Sequence, residues 1–140
     1  MSRQLPEISE YGGTVWRTDF SDDRAWDLLK SKCSAESEEG FFADLNYVSD
    51  PELAGLTVPE LVELATEMPP YFIFLADDVT FSHADSPLLA VDLSDEPGRT
   101  VRVVPSQMAA IENNLSLANM DFAEFADTAD EQDDKIFRGF

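Results

Sequence analysis

The six residues Tyr71-Phe72-Ile73-Phe74-Leu75-Ala76 constrain this chain more than any other stretch. Pro69 and Pro70 stand before them, and Asp77 and Asp78 follow. The run is too short for a typical helix. It also lacks the alternation of a half-buried strand, so it reads as a central strand with both faces covered. Other elements must therefore pack on each side of the sheet.

Those elements can be read on either side. Thr57-Val58-Pro59-Glu60 is a capping box with proline in the first helical turn, where a missing N–H costs little. Leu61, Leu64, Ala65 and Met68 line one face of the helix that follows, and Pro69-Pro70 ends it. Further upstream, residues 14–20 (TVWRTDF) are β-branched and aromatic, hence a strand. Ser21 reads as the cap of a helix over 22–33, with Asp22 and Asp23 in its first turn and Trp26, Leu29 and Cys33 on one face. Residues 41–48 (FFADLNYV) read as a second strand. The order is β-α-β-α-β, and short helical crossovers imply parallel pairing.

Residues 77–87 read as a loop. Strands at 88–93 and 100–104 then form an antiparallel hairpin around the Pro97-Gly98 turn. Pro105-Ser106 opens a helix carrying Met108, Ile111 and Leu115, and Asp121 starts another carrying Phe122, Phe125, Ala126 and Ala129. The closing KIFRGF is expected to dock its two phenylalanines on the body. The predicted fold is a single-domain α/β sandwich over residues 14–140. It has a mixed sheet of about five strands and two C-terminal helices, and residues 1–13 form a flexible N-terminal arm.

Charge narrows the function classes. The chain has 9 Lys or Arg against 29 Asp or Glu, a formal net charge of -20. From Cys33 to Gly98 it has no Lys or Arg and 15 acidic residues. Such a surface repels nucleic-acid backbones and anionic membranes. It suits a basic protein partner or a cation, and it disfavours a bulky self-interface unless that interface excludes the acidic face. Cys33 stands alone, so no internal disulfide and no cysteine zinc cluster can form; it reads as a structural thiol. The first residues lack the apolar core of a signal peptide, and no apolar run approaches about 18 residues, so the cytoplasm is the expected location. No GxGxxG or P-loop motif occurs, and no cofactor is expected.

Three groups of residues could carry chemistry. The first is a set of carboxylates. Ligands in open α/β sheets sit beyond the carboxyl ends of parallel strands. If the first and third strands are neighbours, Asp19, Asp22 and Asp23 would meet Asp77 and Asp78 there. Asp19, Asp22 and Asp77 are then weak candidates for Mg²⁺ or Ca²⁺, which need oxygen ligands. The plainer reading makes them helix-start and loop charges. Signal-receiver domains place acids at the same strand ends but also need a lysine, where this chain has Val103-Val104-Pro105-Ser106. The second is His83, in a polar loop beside Asp85. Neither a cysteine nucleophile nor a GxSxG elbow accompanies it, so it reads as a surface histidine.

The third group is Asn113, Asn114, Ser116 and Asn119. Asparagine and serine are poor inside helices because their side chains compete for backbone hydrogen bonds. They could orient a small polar ligand. Alternatively they mark a corner at which Asn119 caps the next helix or takes a left-handed conformation.

The segments RTDFSDDRAW (17–26), DPELAGLTVPELVELA (51–65), PLLAVDL (87–93), RTVRVVPSQM (99–108), ENNLSLANMDFAEFAD (112–127) and FRGF (137–140) together resemble a family of small free-standing proteins of unknown function found in bacteria and fungi. The resemblance implies that the chain is one unit, and it transfers no activity. Two functional expectations follow. One is an acidic binding protein, immunity-like or regulatory, that takes a basic protein partner or a small polar ligand. The other is a cofactor-independent isomerase, cyclase or lyase. It would use Asp22 and Asp23 as acid and base and Asn113 and Asn114 to orient substrate.

Overall fold

The computed structural model describes residues 5–6, 8, 12–65 and 70–140. The strand over Phe72–Ala76 (β3) is buried at every position, as its unbroken apolar run requires. Its side chains alternate between two cores. Phe72, Phe74 and Ala76 face one side, with Trp26, Leu29, Met108, Ile111, Phe122 and Phe125. Ile73 and Leu75 face the other, with Trp16, Leu53, Leu56 and Leu61.

The α/β architecture with one mixed sheet is as expected, and among the described residues the sheet has six strands, one more than the five counted from the sequence. β1 is Gly13–Arg17, β2 Leu45–Val48, β4 Leu88–Asp92, β5 Thr100–Val103 and β6 Ile136–Phe137. They lie in the order β2-β1-β3-β4-β5-β6. β1 pairs parallel with both β2 and β3, as expected of helical crossovers. β4 pairs antiparallel with β3 and with β5, which gives the predicted hairpin. β6 adds a parallel pair on β5. β2 and β6 are the outer strands.

Helices α1 (Asp23–Ser34), α4 (Met108–Ser116) and α5 (Phe122–Asp130) cover one face of the sheet. The short α2 (Val58–Leu64) and the 3-10 turn Pro51–Leu53 cover the other, where Leu5 and Ile8 also pack. Residues 66–69, which include Met68 of the predicted second helix and the Pro69 expected to end it, lie outside the described residues, as do residues 1–4, 7 and 9–11.

Several local expectations need correction. Asp22, not Ser21, caps α1; its Oδ1 accepts the N–H groups of Arg24 and Ala25 at 3.0 and 3.1 Å. The second strand is confined to Leu45–Val48, so Phe41 and Phe42 lie outside it and stand 60% and 58% exposed. High β-propensity does not distinguish an aromatic that packs from one that projects. The predicted 77–87 loop contains a helix, α3 (Asp78–Ser82), capped by Asp77. The predicted strand at 14–20 stops at Arg17, because Thr18–Phe20 turn away to edge a cleft.

The two C-terminal helices, α4 and α5, meet at a corner as expected, and side chains cap the starts of both α2 and α5. The Thr57 hydroxyl accepts the Glu60 N–H at 3.3 Å, and the Glu124 carboxylate accepts the Asp121 N–H at 2.7 Å. The left-handed residue at the corner is Ala118 (φ 55°), not Asn119. Phe137 is buried, while Phe140 remains 73% exposed with its ring 5.0 Å from that of Phe137 and 5.2 Å from that of Phe125.

Candidate functional site

The chain runs from β1 through α1 to β2 on one side, then through α2 to β3 on the other. The strand order reverses at β1, the place where open α/β sheets leave a crevice beyond the strand ends. A cleft of about 500 Å³ lies there. Thr18, Asp19 and Phe20 come to it from the end of β1, Asp77 and Asp78 from the end of β3, and Thr57 from the start of α2. Its floor is tied by backbone bonds: the Thr18 N–H donates to Ala76 O, and the Gly55 N–H donates to Thr18 O, each at 2.9 Å. Gly55 holds φ at +74°, which suits glycine.

Asp77 is the most constrained group in the cleft. Arg102 on β5 reaches across β4 to meet it as a fork, Nη1 to Oδ1 at 2.7 Å and Nη2 to Oδ2 at 2.8 Å. The sheet register explains this reach. Arg102 sits opposite Leu89, and Leu89 opposite Leu75, so all three occupy one row beside Asp77. Asp77 Oδ1 also accepts the Thr80 N–H at 3.1 Å. The buried Thr80 hydroxyl accepts the Asp77 N–H at 3.2 Å and donates to Pro87 O at 2.8 Å. Burial would raise the Asp77 carboxyl, but Arg102 and Thr80 outweigh it and hold the group below its ordinary value. Asp77 is thus a neutralised anion and a helix cap, poorly suited to donate a proton near neutral pH.

The remaining predicted acids divide. Asp19 stays at the cleft, its Oδ1 accepting the Ser21 N–H at 2.9 Å. Asp22 and Asp23 do not line it. Asp22 is occupied as the α1 cap. Asp23 pairs with Arg17 at 2.9 Å, where the Arg17 side chain is 4% exposed. That guanidinium also donates to Asp19 O at 2.9 Å and lies 4.5 Å from the Phe20 ring centroid. Among the described residues, no three His, Cys, Asp or Glu side chains are grouped to hold a metal ion.

The Asn/Ser group lies elsewhere, at the amino ends of β1 and β2. Its centre is Glu112, a buried carboxylate on α4. Oε1 accepts the Asp44 N–H at 2.6 Å and the Asn113 Nδ2–H at 3.2 Å, and Oε2 accepts the Ser116 hydroxyl at 2.5 Å. Asn113 Nδ2 also donates to Phe42 O at 3.0 Å. Asn114 donates back to Ala110 O at 2.8 Å, within its own helix. The Asn119 N–H donates to Asn114 O at 2.9 Å, and the residue is exposed at the corner. The four predicted ligand residues therefore support a buried acid and a helix end.

Arg17, Arg102 and Glu112 escaped the sequence reading. Each is a charged residue inside an otherwise apolar pattern, which is the one local sign they leave. His83 takes the surface role expected of it, its Nδ1 accepting the Asp85 N–H at 3.0 Å. Cys33 is buried, and burial pushes its thiol up to about 12.

Residues 13–140 match the family described as a domain of unknown function, DUF6924. The chain belongs to this family. No curated protein matches it. The DUF6924 match begins at the first residue of β1, so it takes in all six strands, the strand-end cleft and the Glu112 cluster. Among the described residues, no helix of this DUF6924 domain is long and apolar enough to cross a membrane.

Proposed function

We propose that this protein is an acidic binding protein whose partner is a basic protein segment, in an immunity-like or regulatory role. The observation that carries this reading is where the charge sits. Of the described acids between Cys33 and Gly98, only Asp92 is buried. The other described carboxylates of that span are exposed or half-buried. The span has no Lys or Arg of its own, and Asp77, Asp85 and Glu96 pair with Arg102, Arg138 and Arg99 from outside it. A field of one sign steers an oppositely charged partner and speeds its encounter.

The competing reading, a cofactor-independent enzyme, draws less support. Asp22 and Asp77 serve as helix caps, Asp23 and Asp77 are ion-paired, and Asn113 and Asn114 bond to backbone carbonyls. A general acid or base needs an available proton site facing a substrate. Affinity capture from the native host, followed by salt titration of each retained protein, tests the binding reading. A basic partner released steeply as salt rises is the expected result. Failure to retain any basic protein at low salt overturns it.

A further inference from the structure

We infer that Phe41 and Phe42 form the apolar anchor of this acidic surface, and that they dock a basic segment carrying apolar side chains. The inference rests on the binding reading above and gives it a location. Large apolar side chains exposed by 60% and 58% at adjacent positions are a costly surface unless something covers them. Here they occupy the link between α1 and β2.

The backbone beneath them is fixed from both sides. The Phe41 N–H donates to Ser37 Oγ at 3.0 Å, and Phe41 O accepts the Ser37 N–H at 2.8 Å. Phe42 O accepts from Asn113, which the buried Glu112 orients. Two residues on, the Asp44 N–H is held by Glu112, and Asp44 O accepts the Gly13 N–H at 2.8 Å. The chain is anchored at Phe41, Phe42 and Asp44 while both rings project outward. Pre-organised aromatic anchors give up little entropy on binding and are typical hot spots.

The surroundings choose the partner. Glu36, Glu38, Glu39 and Asp44 flank the pair along the chain, and all four are exposed. The cleft that the three glutamates line also holds Asp85, Lys32 and Arg138, four acids against two bases. An acidic or neutral apolar segment would meet repulsion or unpaired charge, whereas a basic one meets complementary charge around an apolar centre.

Two synthetic probes separate the anchor from the charge. One is a short amphipathic Lys/Leu peptide, and the other is an oligolysine of equal charge. The wild-type protein is expected to bind the Lys/Leu peptide about tenfold more tightly at low salt. The F41S/F42S variant is expected to lose that advantage with its oligolysine affinity unchanged. An L117S control, at an exposed leucine outside the pair, should alter neither affinity. Equal Lys/Leu affinity in wild type and F41S/F42S overturns the anchor while the charge-based reading stands. No binding of either peptide to the wild type overturns both. Circular dichroism and thermal midpoints within error of wild type confirm that F41S/F42S is folded.

Discussion

Glu112 accepts the backbone N–H of Asp44 at 2.6 Å, across 68 positions of sequence. One carboxylate on α4 thereby fixes where the chain enters β2. Its other oxygen takes the Ser116 hydroxyl, so both sides of the acid are used. Replacing Glu112 by Ala strands the Asp44 N–H and leaves a void, and should lower unfolding free energy by about 1–3 kcal/mol. Ser116→Ala removes one donor and should cost about 1 kcal/mol. Urea unfolding of both variants checks the order; equal losses would contradict it.

Space around that acid is equally tight. A Cβ placed on Gly13 would come within 3.1 Å of Glu112 Cγ, Leu45 Cδ2 and Phe74 Cε2. Gly13→Ala should therefore destabilise by about 1–3 kcal/mol through overpacking rather than backbone strain. A thermal midpoint unchanged from wild type would show that the pocket relaxes.

The Arg102–Asp77 fork should reveal itself through pH. The Asp77 carboxyl lies below its ordinary value in the folded state, so its stabilising contribution is present above the unfolded value of about 3.9 and fades as pH falls through the folded one. Arg102→Met removes the fork and leaves a half-buried anion, a loss of about 1–3 kcal/mol at neutral pH. The difference between wild type and R102M should shrink on acidification below about pH 4. A difference that stays constant down to that range would mean packing, not the ion pair, explains the loss.

Ala118 carries its left-handed conformation without the freedom of glycine. Ala118→Gly should relieve local strain and raise stability by up to about 1 kcal/mol, partly offset by the greater entropy of the unfolded chain. Asn119→Gly, one residue on, should bring no such gain. Parallel melting curves of the two variants provide the comparison.

Cys33 should resist thiol reagents in the folded protein. Its thiol is pushed up to about 12 by burial, so almost no thiolate is present near neutral pH. Labelling should proceed only at the rate of global or local opening, and quickly in denaturant. Rapid labelling of the native protein would contradict the burial of that helix face.

Much of the architecture was legible because it follows local rules. The apolar run at Phe72–Ala76 announced a covered strand, and Thr57 and Asp121 announced helix starts. The helical crossovers implied parallel pairing, and the condition that the first and third strands be neighbours is met by β1 and β3. The misses have a common origin in distance or shortness. The two residues of β6 and the five of α3 are too few to show a period. Asp44 lies 68 positions from Glu112 and Arg102 lies 25 from Asp77, and no local pattern gives those two pairings. Phe41 and Phe42 misled in the opposite sense, since a strand-like composition there belongs to surface aromatics.

Among the described residues β2 and β6 are the outer strands of the sheet, and the exposed Phe41 and Phe42 precede β2 in the chain. An outer strand with aromatic surface near it in sequence invites one molecule to extend the sheet of another. Mutual repulsion between strongly anionic copies opposes that meeting at neutral pH. The sequence isoelectric point is about 4.1, and near it the repulsion vanishes. Acidification toward that value should therefore drive the chain into insoluble assemblies, with the acids acting as a colloidal barrier that keeps each copy separate.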